Sequence, residues 1–255
     1  MSEFLAFAHH LADASEPIIK RYFRSSQYEL HYKSDASPVT LADKEVESTL
    51  RALIQTQYPQ HGIIGEEHGN HQPHAEYQWI IDPIDGTRAF SCGRLDFGTL
   101  IGLQHHHSIM LGILNQPICK ERFVGCHTAM LNDKTIASNE KATLHTARFA
   151  TTSAELFNNE QHLIMRHVAT SCGLLQYGGD CYNYGLLAAG HIDIIMEAGL
   201  NIYDIAPLLP LLHHAGAIVT DWKGQNISLA NQDISVLVCA NKALHKEVLA
   251  HINTL

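Results

Sequence analysis

What the chain lacks narrows the field first. Among 255 residues, 17 basic side chains face 26 acidic ones, for a formal net charge of −9. So little Lys and Arg cannot supply the counterion release that drives non-specific nucleic-acid binding, and no nucleic-acid partner is expected. No apolar run approaches the ~20 residues of a membrane helix, so no membrane partner is expected either. Met1 to Leu11 contains no basic segment and includes Glu3, which argues against a secretory leader. The six cysteines form no CxxC pair, and free thiols in a reducing cytoplasm are the expectation. HExxH is absent, which leaves a zinc peptidase of that kind unsupported. No internal repeat is present.

Histidine, by contrast, is abundant at 19. His105-His106-His107 lies between two apolar runs, Thr99 to Leu103 and Ile109 to Leu114, and reads as a surface hairpin turn. A short His tract is only a compositional metal signal. His213-His214 falls on a helical pattern and reads as structural or surface.

At 45% hydrophobic and 17% charged, the composition is that of one large globular domain or two modest ones. Phe4, Phe7, Leu11, Ile18 and Tyr22 mark a helix over 3–23, which Pro17 is expected to kink or interrupt. Lys33 to Pro38 reads as a polar turn, and a helix starts near Thr40 and closes at Tyr58-Pro59. Short buried strands are expected at 61–65 and 78–81, the second stopped by Asp82-Pro83, with a polar loop over 68–77 between them. A β-rich section runs from Phe97 to about Ala129.

The composition shifts near 134–144. Beyond it, strands at 148–152, 174–177, 192–197, 218–222 and 235–240 alternate with helices at 155–171, 180–189, 204–215 and 242–252. Pro210 should bend the third of these helices or delay its start. The pattern predicts helices covering a sheet. The fold class is therefore α/β with an α+β N-terminal half. Residues 1–137 would carry most candidate ligands, and 138–255 would carry Asp204 and the substrate-side residues.

The chemistry centres on Trp79 to Phe90. A strand delivers Asp82 to its end, Asp85 follows on a tight turn, and Gly86 permits a special backbone angle. Thr87 begins a helical turn whose N–H groups can hold phosphate. Taken alone, Asp82 and Asp85 could be a turn cap and a helix cap. Gly65-Glu66-Glu67 and Asp204, however, also lie beside apolar strands or strand-to-helix junctions, where α/β proteins bind ligands. Four carboxylates meeting there would repel strongly unless protonated or neutralised by cations. An all-oxygen donor set points to Mg²⁺, not Zn²⁺.

The chain resembles the inositol monophosphatase family along nearly its whole length. The motifs are Asp43 within Val39-Thr-Leu-Ala-Asp43, Gly65-Glu66-Glu67, Trp79 to Phe90, and Tyr203-Asp-Ile-Ala206 followed by Ala215-Gly216. The resemblance implies an αβαβα layered sandwich and Mg²⁺-dependent, Li⁺-sensitive phosphate monoester hydrolysis, with two or three ions and Mn²⁺ as a possible substitute. By position, Glu66, Asp82, Asp85 and the Ile84 carbonyl would hold one metal, and Asp82, Asp85 and Asp204 a second. Thr87 and Glu66 would activate water, with Asp43 supporting Thr87. Gly86 and Thr87 N–H groups would bind phosphate, and attack would be in line without a covalent phosphoenzyme. The resemblance also suggests a homodimer. Tyr203 stands where the family usually has Trp, and His213-His-Ala-Gly-Ala217 where it usually has Glu-Ala-Gly-Gly. Neither change touches an implied ligand.

Within the family, Tyr177-Gly-Gly-Asp-Cys-Tyr-Asn-Tyr184 and Ile192 to Leu200 look like the histidinol-phosphate phosphatase branch, as do Lys33, Ser37-Pro38-Val39-Thr40, His61-Gly62 and Asp85 to Arg88. That branch acts in histidine biosynthesis. Its substrate carries an ammonium and an imidazole, which an acidic pocket favours. Glu197 and Asp180 are the candidate substrate contacts. Asp180 and Asn183 could equally cap a helix, and Arg88 could meet phosphate or form a surface salt bridge. The alternatives are an inositol- or sugar-phosphate monophosphatase, and a metal-binding interaction protein without catalysis.

Overall fold

A computed structural model describes residues 1–25, 30–32, 38–230 and 233–255. Lys33 and Ser37, and the turn expected around them, lie outside the described residues. The chain opens with α1 (Ser2–Tyr22), β1 (Leu30–Tyr32), β2 (Pro38–Thr40) and α2 (Leu41–Gln57). Then come β3 (Gly62–Gly65), β4 (Gly69–His71), β5 (Tyr77–Asp85), the short α3 (Thr87–Ser91), β6 (Gly98–His105), β7 (Ser108–Gln116), β8 (Glu121–Gly125), β9 (Ala129–Leu131) and β10 (Lys134–Thr135). The remainder comprises β11 (Arg148–Thr151), α4 (Asn159–Thr170), β12 (Leu174–Tyr177), α5 (Asp180–Ala188), β13 (Ile194–Leu200), α6 (Ile202–Ile205), α7 (Leu209–Ala215), β14 (Ile218–Thr220), β15 (Ile234–Cys239) and α8 (Lys242–Ile252).

Strands β3 to β10 form an eight-stranded sheet in the order β10-β9-β8-β7-β6-β5-β3-β4, and a five-stranded sheet runs β12-β11-β13-β15-β14. Helices α1 and α2 cover the outer face of the first sheet, and α4 and α8 that of the second. Between the sheets lie α5 and the α6–α7 segment, which contribute to a core shared by both: Leu114 and Phe123 meet Tyr184, Leu187, Leu212, Ile195 and Val238. The result is the αβαβα sandwich.

Several expectations need correcting. Helix α1 runs through Pro17 without interruption. Its buried stripe of Ala8, Leu11, Ala12, Ser15, Ile18 and Ile19 packs against the sheet, and that burial outweighs the ~3 kcal/mol a mid-helix proline costs. The expected loop over 68–77 contains edge strand β4, whose polar residues carry no hydrophobic period. Strand β5 does not stop at Asp82-Pro83 but continues to Asp85 through a register shift. Helix α4 begins at Asn159, four residues later than expected, because Asn158 and Gln161 form a capping box. The segment after Asn201 is broken as the prolines suggest: α6, a 3-10 turn over Ala206–Leu208, then α7.

Candidate active site

In a regular strand, residues three apart face opposite sides. Asp82 pairs with Leu100 and Asp85 with Gly98, so β5 holds one more residue than β6 between these points. That bulge returns both carboxylates to the same side. Pro83, which cannot donate to a ladder, sits within it, and its carbonyl accepts from Thr99 Oγ1 at 2.9 Å. Asp82 is buried, and its Oδ1 accepts from the Ile84 N–H at 3.1 Å.

Asp204 arrives from the middle layer. It is the third residue of α6 and forms a capping box with Asn201, whose N–H donates to Asp204 Oδ2 at 2.7 Å. One carboxylate oxygen thus fixes the helix start. The broken segment sits directly on the first sheet, where a methyl group at Gly112 would collide with the Pro207 carbonyl and one at Gly125 with the Leu211 backbone. Carboxylate oxygens of Asp82, Asp85 and Asp204 thereby lie within 4.8 Å of one another.

Glu66 occupies the turn between β3 and β4. Glu47 of α2, fully buried, anchors that turn: its carboxylate accepts the N–H groups of Glu67 and His68 at 2.7 and 3.0 Å and pairs with Arg51 at 2.7 Å. The charge of Glu66 acts on Asp82, Asp204 and Asp43. Thr87 Oγ1 lies 3.0 Å from the Ile84 carbonyl and 3.3 Å from Asp43 Oδ1. Asp43 is held in turn by its capping box with Thr40. Gly86 adopts φ 85°, and a side chain there would press on the Asp96 carbonyl at 2.6 Å.

A cavity of about 150 Å³ adjoins the carboxylates, walled by Asp85, Asp180, Cys181, Tyr184, Glu197 and Asp204 among others. Helical spacing puts Asp180, Cys181 and Tyr184 on this face of α5. It turns Asn183 to the other side, where its Nδ2 donates to the Gly178 carbonyl at 2.9 Å and it lines a separate cavity with Arg94 and Asp96. The Cys181 N–H donates to Asp85 Oδ1 at 2.8 Å. Asp180 holds φ 43°, a strained angle for a non-glycine residue. Glu197 is 3% exposed: Oε1 accepts from the Thr152 N–H at 3.1 Å and its hydroxyl, and Oε2 from Tyr184 Oη at 2.6 Å. Its protein donors therefore hold it rigid in the wall. Arg88 is exposed, and its charge opposes the upward shift of Asp180.

Burial and mutual repulsion push these acids upward. Asp82 lies well above the usual carboxylate range through burial and then Glu66, Asp85 and Asp204; Asp85 does so through burial and then Asp180 and Asp204. Asp204 is pushed to about 7, chiefly by burial, and Asp180 to about 7 by burial and then Glu197. Asp43 rises to about 6 by burial. Such crowding is relieved by protons or by a hard cation, and the oxygen donor set fits the latter.

Glu47, Thr152 and the Cys181 N–H were not legible as site elements in the sequence. The Glu47–Arg51 spacing was the available signal for the first.

Five layers with a cavity beside three converging carboxylates, on the bulged strand and α6, define a candidate active site able to hold a metal ion. A model of the inositol monophosphatase family matches residues 1–255, and the chain belongs to that family. An inositol monophosphatase structure from Zymomonas mobilis is 38% identical, with a TM-score of 0.89 over 99% of this chain and 98% of that one. A chloroplastic bifunctional phosphatase of Arabidopsis thaliana is 36% identical over 98% of this chain and 75% of its own length. A histidinol-phosphatase of Mycobacterium tuberculosis is 29% identical over 98% and 97%.

Proposed function

We propose that this phosphatase hydrolyses L-histidinol phosphate to L-histidinol and phosphate, with Mg²⁺ held by Glu66, Asp82, Asp85, Asp204 and the Ile84 carbonyl. One observation carries the reading: the cavity beside the carboxylates is walled by Asp180 and Glu197, whose carboxyl groups, pushed upward by burial, a substrate's ammonium and imidazole would draw into the ionised form. The histidinol-phosphatase relative supports it.

Held by these residues, Mg²⁺ would offer positive charge to a phosphoryl oxygen and lower the pKa of a nearby water. Thr87 and Glu66 would orient that water, Glu66 would take its proton, and Asp43 would accept a hydrogen bond from the Thr87 hydroxyl. Gly86 and Thr87 N–H groups cradle the phosphate, with Arg88 at the rim. The water oxygen would bond to phosphorus as the ester oxygen leaves, and the proton that Glu66 took from the water would pass to that departing oxygen. A homodimer in the cytoplasm completes this reading. Leu174, 53% exposed on edge strand β12, and six unpaired thiols are consistent with it.

The Zymomonas structure favours a second reading, an inositol- or sugar-phosphate monophosphatase with the same centre. Phosphate release with Mg²⁺ from histidinol phosphate, myo-inositol 1-phosphate and fructose 1,6-bisphosphate, measured in parallel, separates the two. Histidinol phosphate is expected to be turned over fastest. Equal rates on the first two substrates overturn the specific assignment.

A further inference from the structure

Among the described residues, a second set of ligand-type side chains converges far along β5 from Asp85. Glu76, His105 and His106 bring a carboxylate oxygen and imidazole nitrogens within 4.8 Å of one another. His105 ends β6, and only His106-His107 separates it from β7. Glu76 immediately precedes β5. The sequence offered the His tract as a plain surface turn; the sheet brings a carboxylate onto it.

The arrangement is held before any ligand arrives. The His106 N–H donates to the Glu76 carbonyl at 3.0 Å, tying the hairpin tip to the segment before β5. Gln104 Nε2 also donates to the His106 carbonyl. The His105 ring stacks on Tyr77 with centroids 4.4 Å apart and planes at 15°, which fixes its orientation. His105 Nε2 lies 2.8 Å from Glu76 Oε1, and His106 Nε2 lies 3.9 Å from the same oxygen. The hydrogen bond from His105 holds the Glu76 carboxyl below its ordinary pKa, so it presents charge.

Two imidazole nitrogens and one carboxylate oxygen form a three-ligand set for a borderline divalent ion, with a position left open to solvent. This chemistry differs from the oxygen-only centre around Asp85, which suits harder cations. We propose that Glu76, His105 and His106 form a second metal site, which takes a transition-metal dication such as Zn²⁺ and clips the start of β5 to the β6–β7 hairpin.

The test is a calorimetric Zn²⁺ titration of the full chain in excess Mg²⁺, repeated with Co²⁺, whose visible bands report nitrogen and oxygen ligation. Wild type should bind one equivalent that the Asp85→Asn variant retains. Losing an outer-shell partner already costs a metal site about 10–100-fold in affinity, so His105→Ala and Glu76→Gln should each weaken binding at least about tenfold. His107→Ala should leave it unchanged. Zn²⁺ should also raise the melting temperature of wild type but not of His105→Ala. The proposal fails if no such equivalent binds, if Asp85→Asn abolishes it, or if His105→Ala is without effect. Equal weakening by His107→Ala also overturns it, since that marks adsorption to a loose histidine tract.

Discussion

Asp85 is half-buried and is pushed upward by burial and then by the charges of Asp180 and Asp204. Replacing it with Asn removes one charge from a crowded site while keeping its shape. If it helps to hold catalytic Mg²⁺, its loss removes several kcal/mol of transition-state stabilisation, on the order of 10³-fold in turnover. The same substitution should raise the melting temperature of chelated protein, because one source of repulsion is gone. Near-normal turnover would show that Asp85 is not a ligand. The raised acids also set a pH dependence. Asp43 at about 6 and Asp180 and Asp204 at about 7 start from 3.8. Below about pH 4 folded and unfolded chains both keep these protons, so no penalty arises. Between about 4 and 7 the unfolded chain has released protons that the folded chain retains, and stability falls as pH rises. In chelator, the melting temperature should therefore be higher at pH 5 than at pH 8, and Mg²⁺ should raise it far more at pH 8. A flat chelated profile would sink this account.

Elements place these residues, and here the sequence was only partly readable. The carboxylates on β5, the start of α3 and the proline-broken segment before Gly216 were all legible, because Pro, Gly and Asp leave local signals. The bulge was not, since it depends on how β6 pairs with β5. Strand β4 escaped notice for a related reason: an exposed edge strand needs no apolar alternation. Asn183 was grouped with Asp180 by proximity in sequence, whereas the turn of α5 separates them. The seat of α6–α7 on Gly112 and Gly125 is likewise a tertiary fact. It carries a prediction. Gly112→Ala must push the Pro207 backbone away, and overpacking of this kind costs about 1–3 kcal/mol. A shift of ~1 Å at a reacting group costs on the order of 10²-fold, so turnover should fall sharply while the far-UV spectrum stays native. Unchanged turnover would mean that the seat does not position Asp204.

Taken whole, the molecule has outer cores on either side of a shared middle layer. A boundary near 137 remains a proposal, and the middle layer argues against independent melting of the two parts. The two tryptophans can decide. Trp79 is buried against α1 and α2, whereas Trp222 lies in the outer core of the second sheet. Single-tryptophan variants Trp79→Phe and Trp222→Phe should each melt by fluorescence at the same temperature as by circular dichroism. Separate transitions would mark two cooperative units.

The order of the second sheet bears on how the protein is made. Strand β15 follows every other strand in the chain, yet it lies between β13 and β14. A ribosome releases β13, with Glu197, before β15, the strand that pairs with it. Until β15 emerges, β13 keeps an open edge and β14 has no partner. The wall that Glu197 supplies is thus assembled late in translation, and a nascent chain stalled before Ile234 would carry every proposed catalytic side chain and the whole first sheet, while the second sheet still lacked the strand between β13 and β14.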